Sequence, residues 1–278
     1  MARRTLRSFI WPDNIRDAKA VQLALNNKVR IIPLRTIPRL IAGVDASFAD
    51  GKVIGVACLY SYPRLIYIEH TFIVREALFP YIPGYLTFRE GPAIIDALNN
   101  LKTKPDLILV DGQGIAHPKG IGIASHLGVL LDTPTIGCAK SRLIGEHEEP
   151  GVKKGFWSPL SYNGRTVGVV LRTRDAVKPL FVSPGHKIDL KTSVEIVLGC
   201  TGKYRIPEPL RTADSPQRKL KENTLHCDKI FPLAVKKFPN AYSIPLFSLV
   251  KKFFFFQDQL LGYNGMEYAF YTFESKYL

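Results

Sequence analysis

The sequence predicts an α/β fold: a mixed sheet flanked by helices, followed by a C-terminal extension of different composition. Three observations predict it. Residues 40–74 hold three apolar runs separated by short turns, the mark of antiparallel neighbours. Beyond Pro80, helix-like and strand-like patterns alternate, as they do where helices cross over a mixed sheet. Near residue 222 the composition changes: residues 1–222 carry 32 basic and 20 acidic side chains, against 6 and 4 in residues 223–278. All 17 arginines precede that point, while the last 56 residues hold 14 of the 30 aromatics, including Phe253-Phe254-Phe255-Phe256. The working domain is therefore expected over 1–222, with an extension of unassigned role over 223–278.

Taken in order, residues 40–45 (Leu-Ile-Ala-Gly-Val-Asp) read as a buried strand ending in a carboxylate. Residues 52–60 and 65–74 are its antiparallel neighbours, joined through Ser61-Tyr62-Pro63-Arg64. A proline-braced loop, Pro80-Tyr81-Ile82-Pro83-Gly84, leads into an amphipathic helix with Glu90, Ile94, Ala97 and Leu101 on one face. Pro92 is expected in that helix's first turn, where a missing N–H costs little. Residues 106–111 form a second buried strand, again ending in a carboxylate, and Gly112-Gln113-Gly114 breaks the chain before a helix near 120–131. Strands at 135–138, 166–171 and 180–183, then a helix over 189–198 capped by Asp189, complete the domain.

Composition excludes several classes. With 278 residues, 46% hydrophobic and 22% charged, the chain can bury a core and is neither disordered nor fibrous. No stretch approaches the roughly 18 apolar residues of a membrane span, and the basic start lacks the apolar run of a secretory signal. Cys58, Cys138, Cys200 and Cys227 show no paired spacing, and three lie in apolar runs. They read as reduced residues of a cytoplasmic protein. The formal charge of +14 favours a polyanionic partner such as nucleic acid. There is no GxSxG elbow, no HExxH and no phosphate-loop Gly-Lys-Ser.

The informative residues are Asp45, Glu90, Asp111 and Asp214. Asp45 and Asp111 each end an apolar strand, and ligand sites of open α/β sheets lie at the carboxyl ends of strands. Glu90 lies on the core-facing stripe of its helix, where an unpaired charge is costly. A hard divalent ion such as Mg²⁺, taking oxygen ligands, reconciles acids that would otherwise repel one another. Each acid alone also reads as a turn cap or a helix-dipole partner. Three such coincidences on a basic chain favour the ion site. Asp214, in Arg211-Thr212-Ala213-Asp214, is equally readable as part of a surface turn.

These residues fall in blocks that resemble the endonuclease V family. The blocks are Ile41-Ala42-Gly43-Val44-Asp45, Pro80-Tyr81-Ile82-Pro83-Gly84, Phe88-Arg89-Glu90, Asp111-Gly112-Gln113-Gly114, Ala116-His117-Pro118 and Gly137-Cys138-Ala139-Lys140-Ser141, followed by Ser183-Pro184-Gly185-His186 and residues 207–214. They occur in order from about residue 10 to 220. The resemblance implies an RNase H-like mixed sheet, with the three-stranded meander joined to parallel strands. It also implies Mg²⁺-dependent cleavage (with Mn²⁺ able to substitute) of the second phosphodiester bond 3′ to deoxyinosine in DNA, in repair of deaminated adenine. The alternatives are the same chemistry on inosine-containing RNA, or a non-cleaving binder of distorted nucleic acid. No membrane partner is expected, and the chain is expected to act as a monomer.

By the same resemblance, Asp45 and Asp111 are the principal metal ligands and Glu90 the third active-site carboxylate. Asp214 occupies a position where members carry Asp or His. Lys140, at a strand terminus, is expected to reach the scissile phosphate or hold an attacking water. Pro80, Tyr81, Ile82 and Pro83 correspond to a wedge that fills the gap left by a flipped base. The other reading of that loop has Tyr81 packing on its own domain. Gly84, Leu86, Gly112, Ile123 and Gly137 match positions lining a base pocket. A pocket built for hypoxanthine leaves buried groups unpaired when adenine enters, at about 1–3 kcal/mol per group. His117 and His186, in Pro- and Gly-flanked loops, are candidate phosphate contacts or turn residues. Among Lys119, Arg142, Lys153 and Lys154, some are expected to neutralise phosphates.

Overall fold

In the computed structural model, residues 9–214 are described. The expected extension over 223–278, with Cys227 and the Phe253–Phe256 run, lies outside them. Twelve elements are named: α1 (Ile15–Asn26), β1 (Leu40–Ala49), β2 (Lys52–Ser61), β3 (Tyr67–Glu76), α2 (Leu86–Asn100), β4 (Leu107–Val110), α3 (Ile123–Leu131), β5 (Thr135–Ala139), β6 (Trp157–Tyr162), β7 (Arg165–Leu171), β8 (Leu180–His186) and α4 (Leu190–Gly199). A last helical run covers 208–214.

The strands form one eight-stranded sheet in the order β3-β2-β1-β4-β5-β8-β7-β6. β1, β4 and β5 are parallel to one another and every other neighbouring pair is antiparallel. The predicted meander and parallel strands are both present. Asp50-Gly51 and Asn163-Gly164 close the β1–β2 and β6–β7 hairpins with both residues at positive φ, as a two-residue turn between right-twisted strands requires.

Both faces of the central strands are covered, which is why these runs read as continuously apolar rather than alternating. Ile41, Leu107, Leu109, Ile136 and Cys138 face one core with α4 and Leu210. Ala42, Val44, Ile108 and Val110 face another, built with α2 and α3. Two glycines set how closely the covering helices approach. A Cβ on Gly43 would stand 2.2 Å from the Pro209 carbonyl carbon, and one on Gly55 would stand 2.5 Å from that of Ala93. Gly43→Ala is therefore expected to push residues 208–214 off β1 and destabilise the fold by roughly 1–3 kcal/mol. Chemical denaturation measures this, and an unchanged midpoint would show that the helix end yields freely.

The structure corrects three expectations. β1 continues four residues past Asp45, because β2 pairs with it as far as Ala49↔Lys52. Pro92 is the seventh residue of α2 rather than a first-turn residue, because the helix begins at Leu86. An interior proline costs ~3 kcal/mol or more. Buried Ile94, Leu98 and Phe88 on the same helix each return about 1.5–3 kcal/mol, which outweighs it. The predicted helix near 120–131 starts only at Ile123. Two elements escaped prediction, β6 and α1, the latter capped by Asn14, whose side chain accepts from Asp17 N. Asp189 caps α4 as expected, accepting from Thr192 N. Cys58, Cys138 and Cys200 are buried free thiols. Among the described residues no helix is long and apolar enough to cross a membrane.

Candidate active site

Strand parity gathers the site. The parallel β1–β4 ladder ends at Val44↔Val110, and β4 meets β5 at Val110↔Gly137. Asp45 and Asp111 are each one step beyond, and Asp111 N donates to Val44 O at 3.2 Å. Asp45, Asp111 and Lys140 each stand two positions after an inward residue of the α4-side face (Gly43, Leu109 and Cys138). They therefore emerge on that same face, at the carboxyl end of neighbouring strands about 4.8 Å apart. Asp45 lies inside β1, so the edge it marks is that of the parallel ladder and not of its own strand. The helical run 208–214, seated on Gly43, carries Asp214 to this end. Glu90 arrives from α2 on the other face, one turn before Ala93 where that helix rests on Gly55.

The four acids interact. Burial, reinforced by the Asp111 charge, pushes the Asp45 carboxyl up to about 7; the Lys140 charge and the Ala46 N–H, which donates to Oδ1 at 2.8 Å, oppose this, and the Asp214 charge adds to it. Burial, then the charges of Asp45 and Asp111, push Glu90 up to about 8, against the pull of Arg89. Lys140 Nζ lies 2.5 Å from Asp111 Oδ2. Burial by itself would lower the Lys140 pKa, but the hydrogen bond to Asp111 and the charges of Asp111, Asp45 and Asp214 prevail and raise it.

This donor set suits a hard divalent ion: carboxylate oxygens only, crowded enough that two of them resist ionising together. As the side chains stand, the described residues contain no group of three or more His, Cys, Asp or Glu spaced to hold a metal. The Lys140 ammonium is the cation against Asp111, so an ion bound to that oxygen would have to displace it.

The other expected site residues divide. Tyr81 is 70% exposed, at the tip of the proline-braced loop, and does not pack on its own domain. Pro80 and Pro83 are also exposed, whereas Ile82 packs against the Ala18, Phe79 and Phe88 cluster. Gly112, Ile123 and Gly137 form one floor: a Cβ on Gly112 would stand 2.5 Å from Ile123 Cγ2, and one on Gly137 would stand 2.4 Å from Gly114 N. Gly84 and half-buried Leu86 lie on the neighbouring loop and first helical residue. His117 lies against Gly84. It is 5% exposed, hydrogen-bonds the Gly84 backbone, and accepts from Lys119 N at 3.2 Å. Burial lowers its pKa to about 4, so it is a neutral brace between loops and not a cation offered to phosphate.

His186 lies away from this group. It is 2% exposed and pairs with Thr135, the first residue of β5, at the opposite end of that strand from Lys140. All four candidate cations have partners within the chain: Arg142 Nη1 donates to Gly145 O, Lys153 pairs with Asp175 at 3.3 Å, and Lys154 Nζ donates to Thr201 O. Lys119 Nζ donates to Tyr85 Oη.

Sequence reasoning missed two positioning residues. Gln113, buried, donates from Nε2 to Ser141 O at 3.1 Å and ties the two strand-end loops together. Arg205 Nη2 donates to Lys140 O at 3.1 Å and to Pro179 O at 2.8 Å. No spacing pattern joins residues 65 apart, and only the fold brings Arg205 under the lysine.

The Endonuclease V family model matches residues 23–215. An endonuclease V from Trichormus variabilis is 53% identical over 207 residues, covering 73% of this chain and 94% of that protein. Among solved structures, the endonuclease V of Streptomyces avermitilis is 42% identical with a TM-score of 0.73, covering 77% of this chain and 96% of that one. The endonuclease V of Ciona intestinalis, solved with a 24mer DNA containing an inosine followed by a ribo-adenosine, is 31% identical with a TM-score of 0.67 and covers 77% of this chain and all of that one.

Proposed function

The chain belongs to the endonuclease V family, and from that premise we propose that it is a divalent-metal-dependent nuclease cutting DNA at the second phosphodiester bond 3′ to deoxyinosine. Mg²⁺ is the proposed ion, with Mn²⁺ as a substitute, and the machinery is confined to residues 1–222. The observation that carries this reading is the convergence of Asp45, Glu90, Asp111 and Lys140 at one end of the parallel strands.

In this reading Asp45 and Asp111, with Glu90 behind them, hold the ion, which when bound lowers the pKa of a water and offsets phosphate charge. Lys140, released from Asp111, turns its ammonium to the scissile phosphate. Arg205 and Gln113 fix the backbone on either side of it. Exposed Tyr81 enters the stack as the inosine leaves, while half-buried Ile82 anchors the loop. The floor of Gly112, Ile123 and Gly137 brings main-chain groups to the edge of the flipped base, and His117 braces the loop at Gly84. Asp214 approaches from the 208–214 helix to modulate the charge at Asp45 and Lys140.

The test is cleavage of paired duplexes, with and without a single inosine, in Mg²⁺, in Mn²⁺ and in chelator, with the cut mapped. Cleavage only with inosine and metal, one nucleotide beyond the 3′ neighbouring linkage, is expected. A faster cut in the matching inosine RNA would move the substrate to RNA. Binding with no cut in either metal would overturn the nuclease assignment.

A further inference from the structure

Beside Lys140 lies a depression of about 460 Å³ that extends beyond the groups given a role in the proposed reaction. Its lining includes four cations, Lys140, Arg174, Arg205 and Arg211, against one acid, Asp214, together with the ring of Tyr204. Its volume is in the range of small-ligand pockets, and arginines are the side chains best matched to phosphate.

Two features distinguish it from an ordinary solvated basic face. Two of the arginines are fixed in advance: Arg205 by the carbonyls of Lys140 and Pro179, and Arg211 by a two-point pair with Glu208 while its guanidinium lies 4.5 Å over the Tyr204 ring. In addition, Arg205 Nε is buried with no hydrogen-bond partner, and a buried donor of that kind is expected to find an acceptor. Tyr204, 44% exposed and backed by Arg211, is a rigid aromatic surface of the type on which bases of single strands stack.

We propose that this depression is a subsite for a nucleotide flanking the scissile bond: Arg174, Arg205 and Arg211 receive its phosphate and Tyr204 its base. The inference rests on the nucleic-acid reading of the neighbouring site, since Lys140 belongs to both. It makes the strand beyond the cut part of what is recognised, with the three arginines as electrostatic contacts.

The test uses the full chain and an inosine duplex, with dissociation constants measured by fluorescence anisotropy in chelator across a salt series. No cleavage is needed, so failure of the nuclease reading and failure of this one are told apart. Arg174→Ala is expected to weaken binding about fivefold at physiological salt and to flatten the log Kd against log salt slope by roughly 0.9, one phosphate contact. Arg174→Lys should restore the slope. Tyr204→Ala should weaken binding with the slope unchanged. Lys104→Ala, three residues before β4 at the far end of the sheet, should match the parent. A neutral methylphosphonate at one linkage flanking the cut should cost the parent the same factor and cost Arg174→Ala nothing more. Parent-like affinity and slope in Arg174→Ala, or additive losses at every methylphosphonate, would overturn the subsite.

Discussion

Asp45→Asn is expected to abolish cleavage, by a thousandfold or more, and at the same time to stabilise the metal-free protein at pH 8. The first effect follows from the proposed role. A ligand to the ion that offsets transition-state charge supplies several kcal/mol, and each ~1.4 kcal/mol is tenfold in rate. The second follows from electrostatics visible in the fold. Asp45 has its carboxyl pushed from 3.8 to about 7 by burial and by Asp111. At pH 8 it is ionised at a cost that an isosteric amide does not bear. The full shift corresponds to about 4 kcal/mol; because the side chain is only half-buried, roughly 1–3 kcal/mol is expected. Denaturant titration of both proteins in chelator measures it. Equal or lower stability of the variant would mean that the carboxylate is already satisfied by this chain's own groups, leaving little reason for an ion there.

The second large effect is the pH dependence of metal-free stability. The carboxyls of Asp45 and Glu90 titrate higher in the folded state than the ordinary 3.9 and 4.3, at about 7 and about 8. The folded state therefore binds more protons between about pH 4 and 8, and stability falls as pH rises through that window. His117 and His126 act in the opposite sense. Burial lowers them to about 4 and about 3, so stability is present above pH 6.5 and is lost as pH falls below it. The two pairs largely cancel below pH 6.5. Above it only the carboxylates act, and a fall of about 2 kcal/mol is expected between pH 6.5 and 8, at no more than ~1.4 kcal/mol per pH unit per group. Saturating Mg²⁺ should offset the fall, by about 2.7 kcal/mol at a hundred times its dissociation constant. The Asp45→Asn/Glu90→Gln double variant should show neither the fall nor the Mg²⁺ effect. A metal-independent, flat profile in the parent would remove the basis for an ion among these acids.

How far the site was legible varies with how local its cause is. Asp45 and Asp111 stand out because a buried apolar run that ends in a carboxylate is unusual within five or six residues. Glu90 stands out because helical spacing puts it among Ile94 and Ala97. Asn163-Gly164 is as local a signal as Asp50-Gly51, and it marks the turn by which β6 pairs with β7. Pro92 misled because the helix start depends on what α2 packs against. His117 and His186 have similar Pro- and Gly-rich surroundings, yet one braces the loop at Gly84 and the other sits at the far end of β5. Burial and strand direction separate them, and neither is written within reach of the residue.

The amino-acid sequence alone determined most of the segments that become strands, that two acids and a lysine close apolar runs while a third acid lies on the core-facing stripe of a helix, and that most of the charge lies in the first 222 residues, because periodicity and composition are properties of neighbours along the chain. The tertiary structure alone decided that Asp45, Asp111 and Lys140 share one face, that Arg205 holds the backbone of Lys140, that His117 is neutral, and that four cations surround one depression. Those facts depend on strand order and on which helix covers which face. Contacts between residues tens of positions apart fix both, and leave no period in the sequence to read.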